Sequence, residues 1–312
     1  MFLANHQNAL LDALLIATHC KRKPYFLTRS DVFKTALLKV FFGFLQMIPV
    51  YRIRDGKNSL AGNTAIFERC AQLLGRGEAV LIFPEGNHSL KRRVRPLSKG
   101  FTRILFLALE SNPSMDIGIV PIGVNYANAA KFPDKAALYY GNEIRVRDFF
   151  DKKDLSGSAS RLKEEVYHHL KKLTTHIEEE SSYEEIVHTL DRAKVDYLDP
   201  AGVNRIIEEG TSPENRKIGK GKVGLMNYLF RGVFYILNFP MLIIWSRFIK
   251  PKVSEPEFLS TTRFMYALLF YPFFYLLFIA GMLEFLNWPA TSIICLAHLT
   301  LNIVLVKLSW ED

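Results

Sequence analysis

Ala79-Val80-Leu81-Ile82-Phe83 is an unbroken apolar run, closed at once by Pro84-Glu85-Gly86. A strand with two apolar faces must be covered on both, which is the habit of a parallel sheet with helices above and below. The surrounding sequence supplies both layers. Strand patterns run from Tyr25 to Thr28, Pro49 to Ile53, Ile117 to Val124 and Ala136 to Tyr140, and the opening residues to Asn5 read as the end of another. Helical patterns run between them: Asn8 to Thr18 with Asn5 and Asn8 as caps, Ser30 or Asp31 to about Phe44, Asn58 to Leu74, and Phe101 to Leu109. This alternation predicts an α/β fold over residues 1–150, a layered domain with a largely parallel sheet flanked by helices.

In such folds the chemistry sits on turns at the ends of strands. His6 follows the first strand and Asp12 lies just beyond, where the chain turns apolar. An Asp can hold one imidazole nitrogen and leave the other to take a proton from an alcohol. His and Asp are also found this close by chance, so the pair gains weight only beside a second motif. Phe83-Pro84-Glu85-Gly86 is that motif: Gly86 suits a tight turn with close backbone approach, and Glu85 stands beside it. Arg52 follows Pro49, and a guanidinium binds phosphate bidentately, although many single arginines serve surface ion pairs. Lys91, Arg92, Arg93, Arg95 and Lys99 make a basic run after the Glu-Gly turn, read as a rim for anionic substrates or as a solvated loop. His88 is read as a supporting or surface group, and His19 as structural.

Four blocks occur in order: His6 with Asp12, Ile48-Pro49-Val50-Tyr51-Arg52, Phe83 to Gly86, and Val120-Pro121-Ile122-Gly123. Together they resemble the glycerophospholipid acyltransferase family, which acylates glycerol-3-phosphate or lysophosphatidate. The resemblance covers roughly residues 1–145. One departure stands out: the common family spacing is His-x4-Asp, and here five residues separate His6 from Asp12. That spacing looks like some glycerol-3-phosphate and dihydroxyacetone-phosphate acyltransferases, and it bears on the acceptor more than on the reaction.

The resemblance implies His6 as general base, Asp12 as its orienter, Arg52 on the acceptor phosphate, and Glu85 with Gly86 shaping the glycerol site. It implies an acyl-thioester co-substrate, acyl-CoA or acyl-ACP, with no bound cofactor and no metal. Direct attack on the thioester makes an acyl-enzyme unnecessary, and none of Cys20, Cys70 and Cys295 sits in a nucleophile motif. Those three scattered cysteines form no disulfide framework and point to a reducing compartment. A net charge of +9 on a chain that is 49% hydrophobic fits an anionic bilayer surface or an anionic substrate. Nucleic acid is the competing partner for a basic protein, and no nucleic-acid-binding signature supports it. No signal peptide opens the chain, and the abrupt start leads to the expectation that an N-terminal segment is missing.

Residues 151–222 form a charged helical extension. Asp151 to Ser160 reads as a polar linker, Arg161 to Glu180 as a helix with Leu162, Val166, Leu170, Leu173 and Ile177 on one stripe, and Tyr183 to Arg192 as a second helix. His168, His169, His176 and His188 lack the carboxylate pattern of a metal site. Gly219-Lys220-Gly221-Lys222 lacks the ending of a phosphate-binding loop. Residues 223–312 read as membrane-embedded helices: Val223 to Phe248, Phe264 to Leu286 and Ala290 to Val306, with Trp245, Trp288 and Trp310 at segment ends. A buried soluble bundle is the alternative. Basic residues flank the first segment on both sides: Lys217, Lys220 and Lys222 before it, and Arg247, Lys250, Lys252 and Arg263 after it. The positive-inside rule then favours a re-entrant first segment, bent near Gly232, Asn238 or Pro240, followed by a two-span hairpin, over three full spans.

The expected activity is therefore acyl transfer in phospholipid synthesis, at a cytoplasmic membrane with the catalytic domain facing the cytosol. The partners would be the bilayer, a phosphorylated glycerol or lysophospholipid acceptor, and acyl carrier protein or coenzyme A as thioester carrier. Two other readings use the same residues differently: a phospholipid transacylase, and a non-catalytic lipid-binding membrane protein of the same fold.

Overall fold

The computed structural model describes residues 1–33, 36–51, 57–210 and 225–310. Arg52 and the basic stretch from Lys217 to Lys222 lie outside these. Two compact units make up the chain, Met1–Ala127 with Lys135–Asn215, and Asn128–Asp134 with Arg216–Asp312.

The first unit is built on a seven-stranded sheet in the order β3-β2-β4-β1-β5-β6, with β7 also on β5. The strands are β1 (Phe2–Ala4), β2 (Tyr25–Arg29), β3 (Met47–Val50), β4 (Val80–Ile82), β5 (Gly118–Tyr126), β6 (Ala136–Tyr140) and β7 (Ile144–Arg145). β1 to β5 run parallel, while β6 and β7 return antiparallel to β5. Helices α1 (Ala9–His19), α2 (Ala36–Phe44), α3 (Lys57–Gly75) and α4 (Gly100–Ser111) make the crossovers. The apolar run is β4, with Val80 and Leu81 wholly buried and Ile82 nearly so, between β1 and β2. Leu3, Phe101, Ile104, Leu105 and Ile119 pack into the same core.

Past residue 150 the helices differ from the sequence pattern. The expected linker is the first turn of α5 (Leu155–Leu173), because Asp154 caps it by accepting from the Gly157 amide at 2.8 Å. The helix stops at Leu173, and Ile177 reaches the interior of this unit from the extended segment beyond it. Two shorter helices follow, α6 (Tyr183–Arg192) and α7 (Pro200–Glu209), the second not expected from the sequence. Helix α5 lies so close to β5 that a Cβ on Gly123 would come within 2.1 Å of the Leu173 carbonyl oxygen. Gly123, last of the Val-Pro-Ile-Gly block, is therefore a packing glycine.

In the second unit, α10 (Leu259–Leu283) and α11 (Trp288–Trp310) belong to two helices long and apolar enough to cross a membrane. Before them, α8 (Leu225–Leu237) and the helix from Phe239 to Lys252, whose first part is α9 (Phe239–Ile244), meet at an angle of 82°. The break falls at Asn238, where polar side chains gather. Asn238 Nδ2 donates to Asn302 Oδ1 at 2.6 Å, and Tyr271 Oη donates to Asn238 Oδ1 at 2.9 Å. His298 Nε2 donates to the Leu237 carbonyl at 3.3 Å, and its Nδ1 accepts from Tyr275 Oη at 2.9 Å. A bend in apolar surroundings needs this, because a freed backbone carbonyl must find a donor within the protein.

Candidate active site

His6, the Phe83–Ser89 turn and Tyr126 all lie at the carboxyl ends of parallel strands: β1, β4 and β5. β1 is hydrogen-bonded to both others, so residues far apart in sequence meet over its end. Asn5 expected as a helix cap does something else. Its side chain bridges to β5, donating to the Val124 carbonyl at 3.0 Å and accepting from its amide at 2.7 Å. Asn8 stands at the start of α1 without capping it through its side chain.

Asp12, in the first turn of α1, gathers the donors that precede the helix. Its Oδ2 accepts from the amides of Gln7 and Asn8, each at 2.8 Å, and from His6 Nδ1 at 2.7 Å. Between His6 and Asp12 the chain takes a positive φ of +38° at Ala9. A left-handed alanine costs about 1 kcal/mol, and the four hydrogen bonds to Asp12 outweigh it. Asp12 is wholly buried, and the fourth bond comes from Tyr126 Oη to Oδ1 at 2.6 Å. With every neighbour donating, the carboxylate fixes the proton of His6 on Nδ1 and leaves Nε2 as the basic nitrogen.

The second motif packs directly on this imidazole. The Phe83 ring stacks on His6 with centroids 4.1 Å apart and planes 14° from parallel. The Ser89 amide donates to the His6 carbonyl at 3.0 Å, and the His88 ring stands edge-on to His6 at 5.5 Å. Gly86 has φ +79° with open space where a Cβ would stand, so its demand is conformational.

Glu85 is folded inward, its side chain only 2% exposed. Oε2 accepts from Arg95 Nε at 2.7 Å, while Oε1 has no hydrogen-bond partner among the described residues. Burial pushes its carboxyl up to about 7 against the pull of Arg95, and the nearby Asp12 charge adds to the rise.

The basic run divides into two kinds of residue. Arg95 is committed to Glu85 and Asn87. Arg92 points inward: its guanidinium donates to the carbonyls of Tyr126 and Ala127 at 3.0 and 2.8 Å and lies 3.4 Å over the ring of Tyr197. Lys91 and Arg93 reach outward to the exposed Glu180, and Lys99 is exposed at the start of α4. His176, one of the four extension histidines, holds this loop by accepting from the Val94 amide at 3.0 Å, and burial lowers its pKa. Arg52 lies outside the described residues. Just before it, Tyr51 is held by Asn63, which accepts its amide at 2.9 Å and donates to its carbonyl at 2.7 Å.

Among the described residues no group of His, Cys, Asp and Glu could hold a metal ion. All three cysteines are free, and burial pushes the Cys70 thiol up to about 12. The local sequence missed the parts played by Tyr126, Phe83 and Arg95. Tyr126 carried no signal, since its partner lies 114 residues earlier in the chain.

A buried carboxylate holding an imidazole at the carboxyl end of a parallel sheet has the geometry that a general base would need. Residues 1–125 match the model of the Acyltransferase family, a match that supports the resemblance of this domain to the glycerophospholipid acyltransferases. It is 26% identical over 83 residues to Glycerol-3-phosphate O-acyltransferase 1 of Saccharomyces cerevisiae. It is 32% identical over 84 residues to Glycerol-3-phosphate O-acyltransferase 2 of the same yeast. Each match covers 27% of this chain and 11% of the yeast protein, so the chain spans only a small part of the length of these relatives. Among solved structures it is similar to the 1-acyl-sn-glycerophosphate (LPA) acyltransferase PlsC from Thermotoga maritima. That similarity is 17% identity and a TM-score of 0.38, over 57% of this chain and 67% of that one.

Proposed function

We propose that the protein is a membrane-bound O-acyltransferase of phospholipid synthesis. It moves a fatty acyl group from an acyl-CoA or acyl-ACP thioester to a hydroxyl of glycerol-3-phosphate or lysophosphatidate. The observation that carries this reading is the 2.7 Å contact of His6 Nδ1 with the wholly buried Asp12. His6 Nε2 takes the hydroxyl proton as the alcohol oxygen attacks the thioester carbonyl. The carbon–sulfur bond breaks, and the departing thiolate receives that proton back from the imidazolium. Asp12 stabilises the imidazolium without taking the proton.

Arg52 binds the acceptor phosphate, and Gly86 and Glu85 shape the glycerol site. Glu85 Oε1, buried and without a side-chain partner among the described residues, is suited to a hydroxyl of the acceptor. Lys91, Arg93 and Lys99 contribute positive potential at the entrance; the exposed pairs of the first two with Glu180 are weak enough to yield to an anionic ligand. The catalytic domain faces the cytosol, where acyl-thioesters are made. The test is purified protein given labelled acyl-thioester with a panel of phosphorylated glycerols and lysophospholipids. Label should appear in one of those acceptors; transfer only from intact phospholipid would identify a transacylase, and no transfer at all would leave a lipid-binding protein.

A further inference from the structure

Asp12 sits in the first turn of α1 with no solvent exposure, and its Oδ2 is saturated by His6 and two amides. The remaining oxygen, Oδ1, faces one side chain brought from the far end of the domain. Tyr126 is the last residue of β5, only 4% exposed, and its hydroxyl donates to Oδ1 at 2.6 Å. A buried carboxylate oxygen left without a donor is costly, and a short bond from a hydroxyl also fixes the plane of the carboxyl group. That plane sets the direction of the Oδ2 lone pair toward His6 Nδ1, and so the aim of the imidazole.

Tyr126 is itself anchored from the helical extension. Arg92 grips its carbonyl and that of Ala127, and its guanidinium lies 3.4 Å over the ring of Tyr197. Tyr197 in turn donates to Asp191 Oδ1 on α6 at 2.8 Å. The Arg92 amide donates to Tyr183 Oη, also on α6, at 2.7 Å, and the Arg92 carbonyl accepts from the Ile177 amide at 2.9 Å. Contacts therefore run without a gap from α6 through Arg92, Tyr126 and Asp12 to His6.

We propose that Tyr126 is a positioning residue for the His6–Asp12 pair, braced by Arg92 against the α6 segment. This rests on the acyltransferase reading for its kinetic readout, but not for its spectroscopic one. The extension after residue 150 then serves the active site of its own unit by holding the end of β5 under Asp12.

The test is Tyr126→Phe, which removes one oxygen and keeps the ring, made alone and in an Asp12→Asn background. In the wild-type background kcat should fall about 10- to 100-fold, the rate equivalent of one hydrogen bond to a charged group, with both Michaelis constants unchanged. In the Asp12→Asn background the same change should cost nothing further, because the group through which Tyr126 acts is gone. A role in folding alone would lower the unfolding temperature and cost the same fraction of activity in both backgrounds. That result, or full activity of Tyr126→Phe, overturns the proposal.

The ring nitrogens of His6, seen by NMR in protein labelled at histidine and assigned with His6→Ala, supply the second readout. They should shift in Tyr126→Phe, and unmoved signals overturn the proposal. If the wild-type protein acylates no acceptor, the acyltransferase reading falls, and the His6 signals decide the role of Tyr126 by themselves.

Discussion

Arg95 donates to Glu85 across 2.7 Å, yet the carboxyl it pairs with is held at about 7, because burial outweighs the ion pair. The folded protein thus keeps a proton on Glu85 between roughly pH 4.5 and 7 that the unfolded chain has lost. Stability from this group is fully present below that window and is lost as pH rises through it. The change amounts to roughly 3 kcal/mol if the whole shift is realised. Glu85→Gln cannot titrate. Thermal unfolding of both proteins from pH 5 to 8 should show the wild type losing ground to Glu85→Gln as pH rises toward 7. Parallel profiles would mean that Glu85 ionises like an ordinary carboxylate.

His6→Ala should reduce acyl transfer by about 100- to 10,000-fold, the usual contribution of a general base, while membrane association is kept. Asp12→Asn should also be severely impaired, since the imidazole loses the anion that orients it. Rates measured with labelled thioester, alongside a flotation assay with vesicles, decide this. Near-normal turnover of His6→Ala would end the proposed mechanism.

Arg52→Ala should raise the Michaelis constant for the phosphorylated acceptor much more than that for the acyl-thioester. Lys at this position should rescue only in part, because an ammonium lacks the planar fork of a guanidinium. Steady-state kinetics with each substrate varied in turn is the measurement. An unchanged acceptor constant would return Arg52 to an ion-pairing role.

The bend of 82° at Asn238 is compatible with a broken span or a re-entrant hairpin, and the basic residues on both flanks favour the hairpin. Cysteines introduced at Ser254 and Asp312 separate the two in intact cells. A re-entrant segment followed by a two-span hairpin leaves both sites closed to an impermeant reagent. Three full spans from a cytosolic catalytic domain would expose both, and labelling at both sites would sink the hairpin model.

Local pattern determined much of this protein. A short apolar run bounded by Pro84-Glu85-Gly86 reads as an inner strand with a turn after it, and β4 is that strand. His6 and Asp12 lie six residues apart in the chain, so their pairing was within reach of local sequence once the second motif was set beside it. That α10 and α11 are long apolar helices follows from composition, which needs no partner to be recognised, although their ends differ by several residues from the Phe264 to Leu286 and Ala290 to Val306 of the sequence pattern. What tertiary structure decided is which distant groups share a bond. Tyr126 lies just past the strand that the sequence pattern gives from Ile117 to Val124, and only the parallel pairing of β1 with a longer β5 brings its hydroxyl to Asp12. Arg92 and Arg95 look like neighbours in one basic run. Burial separates them from it, because a guanidinium drawn inside must spend its donors on fixed partners, and those partners come from β5, the Tyr197 ring and Glu85. The proton on Glu85 is decided the same way, since no residue type carries its own desolvation and only the packing around it sets the energy of its charge.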